Sequence, residues 1–253
     1  MLTRLIVRMS ASSGAALFLQ HGLVFAMLVL APIWDRHATR DLKTSGDPNV
    51  KERYYRITSA MLWAAAVLSC IAIGGYARLA HVDRVAGDAP WLSPTGRAAP
   101  FLLGAVVGML FVLLLPAALA LVNPKIRDRS ARAFKPLAFF LPVTPRERAW
   151  WVVVSVTAGL CEEVIFRGFL LHYLHAGPWH FSLVIALIAA AAIFGLQHLY
   201  QGAAGVVQTT IIGAVFGAIF LATGSLVVPM LLHCIMDLRV LLLIAPPPAT
   251  AAS

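Results

Sequence analysis

An all-α bundle of about seven membrane-spanning helices is the fold class that this sequence predicts, and three observations carry it. The chain of 253 residues is 60% hydrophobic and only 12% charged, with a mean hydropathy of +0.83. A soluble domain sits nearer half apolar and a quarter charged. The apolar residues gather into runs of about the 20 residues that a bilayer-spanning helix needs, and no long polar linker divides them. The cations crowd instead into stretches between those runs, which the positive-inside rule explains without invoking nucleic acid behind the net charge of +9. Cys70, Cys161 and Cys234 lie within apolar runs and form neither a CxxC motif nor a disulfide framework.

The first span covers Gly14–Trp34, after a segment carrying Arg4 and Arg8. A signal peptide is the competing reading, but no small-x-small cleavage site ends the run, so it reads as an uncleaved span. Gln20 and His21 inside it suit helix packing. Asp35–Arg56 follows as a polar loop with Arg36, Arg40, Lys43, Lys51, Arg53 and Arg56, placed in the cytoplasm. The second span is expected over Ile57–Leu79, an outer turn over Ala80–Arg97, and the third span over Ala98–Val122, kinked at Pro116 and closed by Asn123-Pro124.

A second basic loop runs from Lys125 to Arg148. Within it, Pro136–Pro142 is too short to span and reads as an interfacial segment. Thr144, Pro145 and Glu147 then have the spacing of an N-cap, a first helical proline and a capping-box glutamate. The remaining spans are expected over Arg148–His175, Phe181–Leu199, Ala203–Ala222 and Leu226–Ile244. Gly213 and Gly217 in the sixth form a small-xxx-small packing face. The whole reads as one structural domain: residues 1–135 as N-terminal spans and basic loops, residues 136–245 as a C-terminal helical core, and residues 246–253 as a disordered tail. This topology puts the N-terminus outside and the C-terminus in the cytoplasm, in a multi-pass protein of the cell membrane.

The fourth span contains Glu162, Glu163 and Arg167. Charges at membrane depth are costly and normally face a bundle interior or a wet cavity, which marks a functional site. Glu163 and Arg167 are four apart and can pair structurally. Glu162 points roughly 100° away from Glu163, so it needs a partner from another helix. Two further spans supply candidates: Phe194 and His198 share one face, as do His233 and Asp237. A cavity open to the cytoplasm would join these groups. Because Glu162 lies roughly 21 Å along its helix from Arg148 while His198 ends its own span, joining them calls for a kink or an offset between spans.

In this order and on separate spans, Glu162-Glu163-x-x-x-Arg167, Phe194-x-x-x-His198 and His233-x-x-x-Asp237 resemble the CPBP family, also called Abi. That family groups CAAX prenyl endopeptidases with bacteriocin-processing and immunity-type proteins. The resemblance covers about residues 136–240, with Thr223-Gly224-Ser225 before the last motif fitting as well. It implies an intramembrane endopeptidase in which Glu162 is the general base and works on water together with His198. It further implies that Glu163 and Arg167 hold the helix geometry, and that His233 and the residue four later stabilise the oxyanion. The prenyl proteases tend to carry Asn at that last position. Asp237 donates a hydrogen bond only when protonated, so it is expected to orient His233 instead, and the prenylated substrate is in doubt.

Metal use stays open at this point. Glu162, His198 and His233, with Asp237, would make a zinc set of familiar composition, yet there is no HExxH, and a Glu–His pair activates water without metal. The implied partners are a membrane-associated protein or peptide substrate and the lipid bilayer. Two other functions compete: a non-catalytic immunity or scaffold protein of the same fold, and a proton-coupled carrier. The absence of an internal repeat counts against the carrier.

Overall fold

The computed structural model describes residues 14–75, 96–97 and 99–244. The residues around Arg4 and Arg8, most of the expected outer turn and the tail after Ile244 lie outside that set. Among the described residues every regular element is a helix. Helix α1 runs unbroken through Gly14–Thr44, α2 through Val50–Ile73 and α3 through Ala99–Val122. Helix α4 covers Pro124–Ala133 and α5 covers Pro145–His175. Then come α6 (Leu183–Leu196), α7 (Gly202–Thr223) and α8 (Val227–Leu238), with one more turn at Val240–Leu243.

Among the described residues five helices are long and apolar enough to cross a membrane, where the sequence predicts about seven spans. Helix α6 is apolar but only 14 residues long, and α8 only 12. At a rise of 1.5 Å per residue these reach roughly 21 and 18 Å, against a hydrocarbon core of about 30 Å. Both stop where polar residues interrupt the apolar run: α6 before Gln197-His198, α8 at Asp237-Leu238-Arg239.

The basic stretches differ from the expected loops. Asp35–Thr44 continues α1, because Ala, Arg, Leu and Lys favour helix and no breaker appears before Ser45-Gly46-Asp47-Pro48. The second stretch forms α4, and Asn123-Pro124 both closes α3 and opens it. The Asn123 side chain accepts from the Lys125 amide at 3.0 Å, and Pro124 stands in the first turn.

Helix α1 contains a π-helical stretch, Ala26–Leu30, and Pro32 accounts for a free carbonyl there. Proline has no amide hydrogen to give back, and in π register its partner would be the carbonyl of Met27. Gln197 takes that acceptor instead, donating from Nε2 at 2.7 Å, and so ties the end of α6 to α1. Gln20 and His21 act as packing groups, as expected: Gln20 Nε2 donates to the Ala72 carbonyl at 3.0 Å, and His21 Nδ1 bonds the Tyr173 hydroxyl at 2.9 Å.

Helix α5 is the centre of the bundle and packs against both α2 and α8. The paired glycines of α7 meet α6 as the sequence predicts. A Cβ on Gly213 would stand 3.0 Å from Phe194, and one on Gly217 would strike Leu187. The segment expected at the interface begins with a short 3-10 turn, Lys135–Leu137, and then buries the Phe140 ring among Tyr54, Tyr55, Trp151 and Tyr200. Lys51 Nζ and the Tyr55 hydroxyl donate to the Leu141 and Phe140 carbonyls, fixing that segment to α2. By contrast α3 turns Phe101, Phe111 and Val122 outward, as a lipid-facing helix does.

The start of α5 has the capping box that the sequence predicts. Glu147 N–H donates to Thr144 Oγ1 at 3.1 Å, and Glu147 Oε2 accepts from the Thr144 and Val143 amides. Loss of a cap costs about 1 kcal/mol. Thr144→Ala is therefore expected to lower thermal stability in detergent by about that amount while leaving helix content intact; an unchanged melting temperature would show that the box does not hold the entry of α5.

Candidate functional site

The site begins with a close approach of two backbones. Gly159 on α5 lies against Cys234 on α8, where an added Cβ would stand 2.8 Å from the Cys234 amide nitrogen. Four residues further along α5 the helix widens into a π segment, Glu163–Leu170, in which every residue is buried. Such segments often occur at functional sites. The acidic pair straddles this change of register, with Glu162 ending the α-helical part and Glu163 opening the π part.

Glu163 is the hub. Its Oε1 accepts from Arg167 Nη1 at 3.0 Å and from His233 Nδ1 at 2.8 Å. All three side chains are buried, at 0%, 3% and 3% exposure for Glu163, Arg167 and His233. Arg167 also directs Nη2 towards the Gly213 carbonyl at 3.4 Å and lies over the Phe194 ring at 4.3 Å. The expected structural pair is thus present, and α5, α6, α7 and α8 all contribute to its surroundings.

The orientation of His233 differs from expectation. A carboxylate only accepts, so His233 Nδ1 carries hydrogen and donates to Glu163. Glu163, rather than Asp237, therefore orients the ring. His233 Nε2 faces Glu162 Oε2 and Asp237 Oδ2, each at 3.8 Å. These separations exceed a hydrogen bond. Glu162 does find its partner on another helix, as its angular position requires, but with a gap between them. Glu162 Oε2 is buried and receives no hydrogen bond from the described residues.

His198 comes from the short turn beyond α6. Its Nδ1 donates to the Phe194 carbonyl at 2.9 Å, which leaves Nε2 as the ring nitrogen with a free lone pair. The Phe194 ring separates the two imidazoles, 4.8 Å from His198 and 6.1 Å from His233 between centroids. The depth mismatch between Glu162 and His198 resolves because α6 stops early, so His198 reaches the site from a helix end.

Glu162, His198, His233 and Asp237 line one cavity of about 400 Å³. Its wall also includes residues that sequence reasoning did not single out: Asp35 and Tyr54, which hydrogen-bond each other at 3.1 Å, and Tyr200 and Arg239. No spacing signal marks them, since they come from unrelated parts of the chain. Among the described residues no three of His, Cys, Asp and Glu are grouped to hold a metal ion.

Removing one member of a buried ion pair costs about 3–5 kcal/mol. Glu163→Gln and Arg167→Ala are accordingly expected to lower thermal stability and expression together. Normal yield and melting behaviour in both variants would show that the hub is dispensable for folding.

Residues 144–239 match a family model described as type II CAAX prenyl endopeptidase, Rce1-like. No curated protein and no solved structure matches the chain. The matched residues include Glu162, Glu163, Arg167, Phe194, His198, His233 and Asp237, and they lie on a chain with several helices apolar enough to span a membrane. The segment that builds the site thus matches the CPBP/CAAX protease family that the ordered motifs resemble, on a multi-pass membrane protein.

Proposed function

We propose that this protein is an integral-membrane endopeptidase that hydrolyses a peptide bond of a membrane-associated protein or peptide, with water activated by Glu162 and His198. The observation that carries the reading is the single cavity lined by Glu162, whose buried Oε2 receives no hydrogen bond from the described residues, and by two imidazoles whose Nδ1 atoms are already committed. Each imidazole then has only Nε2 left for a reaction.

In this mechanism Glu162 takes one proton from water, while the O–H that remains on the resulting hydroxide donates a hydrogen bond to His198 Nε2. The hydroxide adds to the carbonyl carbon, and the carbonyl electrons move to oxygen. His233, held by Glu163 through Nδ1 and carrying a proton on Nε2, donates to that oxyanion. Asp237 stands beside Nε2 and favours the proton there. Collapse of the intermediate breaks the C–N bond, and the proton held by Glu162 passes to the departing amine.

The cavity wall supports an opening at the cytoplasmic face of the cell membrane. Asp35 and Tyr54 reach it from the first basic stretch, and Phe134 and Leu137 from the second. Both stretches therefore sit at the same end of the bundle as the cavity, and the positive-inside rule assigns that end to the cytoplasm.

A general base contributes about 10²–10⁴-fold to rate and little to affinity. Glu162→Gln keeps the side-chain shape but cannot take the proton. With membrane-anchored peptide libraries, this variant is expected to fold, to capture substrate and to lose turnover by about that factor, and His198→Ala to behave alike. Full cellular function in a well-folded Glu162→Gln protein would overturn the enzyme reading in favour of an immunity or scaffold role.

A further inference from the structure

Asp35 is an anion in the wall of the reaction cavity with no task in the mechanism above. It stands on α1, outside the segment that matches the family model. The Tyr54 hydroxyl donates to its Oδ1 at 3.1 Å, which leaves Oδ2 to take a second partner. No cation among the described residues pairs with it. Lys51 and Arg53, from the same basic stretch, are engaged by the Leu141 carbonyl and by Asp47. Lys43 and Arg56 lie over the Phe139 and Trp150 rings. A half-buried carboxylate is stabilised by a cation brought beside it.

The other carboxylates of the site each face a basic group. Glu163 is paired with Arg167, Glu162 faces His233, and Asp237 interacts with Arg239. Asp35 is the surplus anion. Aromatic faces stand beside it: the Tyr54 ring stacks on Trp34 at 5.5 Å between centroids and meets Phe140 edge-on at 5.6 Å, and Phe140 lies 5.4 Å from Tyr200. All four rings reach the cavity. A carboxylate among aromatic rings is the chemistry that holds ammonium and guanidinium groups. Because Asp35 lines the same cavity as Glu162 and His198, a peptide lying across the reacting pair can set a side chain beside it.

We propose that Asp35 is a specificity residue that binds a cationic side chain, lysine or arginine, of the substrate. This rests on the endopeptidase reading above, and binding and turnover separate the two. The test uses the full chain in maltoside micelles, which carry no ammonium group, and in phosphatidylcholine vesicles, which do. The probes are lipid-anchored fluorescent peptides of one apolar sequence, with lysine or its uncharged counterpart norleucine at a single position. Binding is measured with Glu162→Gln protein, and cleavage with the unsubstituted enzyme.

The Glu162→Gln protein is expected to bind the lysine peptide about tenfold or more tightly than the norleucine peptide, as a charge-assisted contact implies. Asp35→Asn still accepts from Tyr54 but carries no charge, so adding it should level the two affinities. Asp35→Glu should restore part of the difference. Moving the lysine along the peptide should confine the preference to neighbouring positions, which general attraction to an acidic cavity would not do. A preference that survives Asp35→Asn, is absent from the parent protein or is equal at every position overturns the proposal. Its disappearance in phosphatidylcholine vesicles would also overturn it, since Asp35 would then hold a lipid headgroup. If lysine binding depends on Asp35 but neither peptide is cleaved, the cation site stands and the endopeptidase reading falls. Cleavage of both peptides with no lysine preference leaves the endopeptidase reading standing and overturns the cation site.

Discussion

The buried carboxylate of Glu163 is the interaction on which the rest of the site depends. One oxygen accepts from Arg167 on its own helix and from His233 on α8. A buried charge is tolerated only when it is paired and hydrogen-bonded, and here each partner needs the other two. Removing Arg167 would leave an uncompensated anion. Removing Glu163 would strand a guanidinium that otherwise bonds α7 and stacks on Phe194. The cost of burying these groups is offset by fixing α5, α7 and α8 in one arrangement, and that arrangement holds His233 with Nε2 towards Glu162.

Backbone irregularities serve the same end. The π segment after Glu162 lets adjacent glutamates take different tasks, one turned to the cavity and the other sealed in the core. Gly159 allows α8 close enough for His233 to reach Glu163. Pro32 frees a carbonyl in α1 that Gln197 occupies, and this secures the chain just before His198. Membrane helices accept such departures when neighbouring side chains satisfy the released backbone groups. At Met27 the Gln197 side chain does so.

The cavity combines an apolar wall with few polar groups, as binding sites generally do. Met61, Leu62 and Ile165 line it together with Glu162 and His198. Under the proposed endopeptidase reading, a peptide can bury its side chains there while its backbone meets Glu162 and His198. Residues 144–239, which match the type II CAAX prenyl endopeptidase model, supply the C-terminal part of the cavity wall, and α1 and α2 complete the cavity from outside that segment.

The helical class, the capping box at Thr144, the small-residue packing face of α7 and the order of the polar groups that line the cavity are all legible in the residues alone. These are local or periodic properties: hydropathy, cap spacing and i, i+4 faces follow from residue types alone. The sequence misplaces the helix ends in both basic stretches, because charge was read as loop where good helix formers continue the helix. Only the tertiary structure decided that Glu163 orients His233, that His198 enters from a helix end, and that Asp35, Tyr54 and Arg239 share the cavity wall. Those facts depend on which helices meet and how far each is offset along its neighbour, and such offsets are set by the whole packed bundle rather than by spacing along the chain.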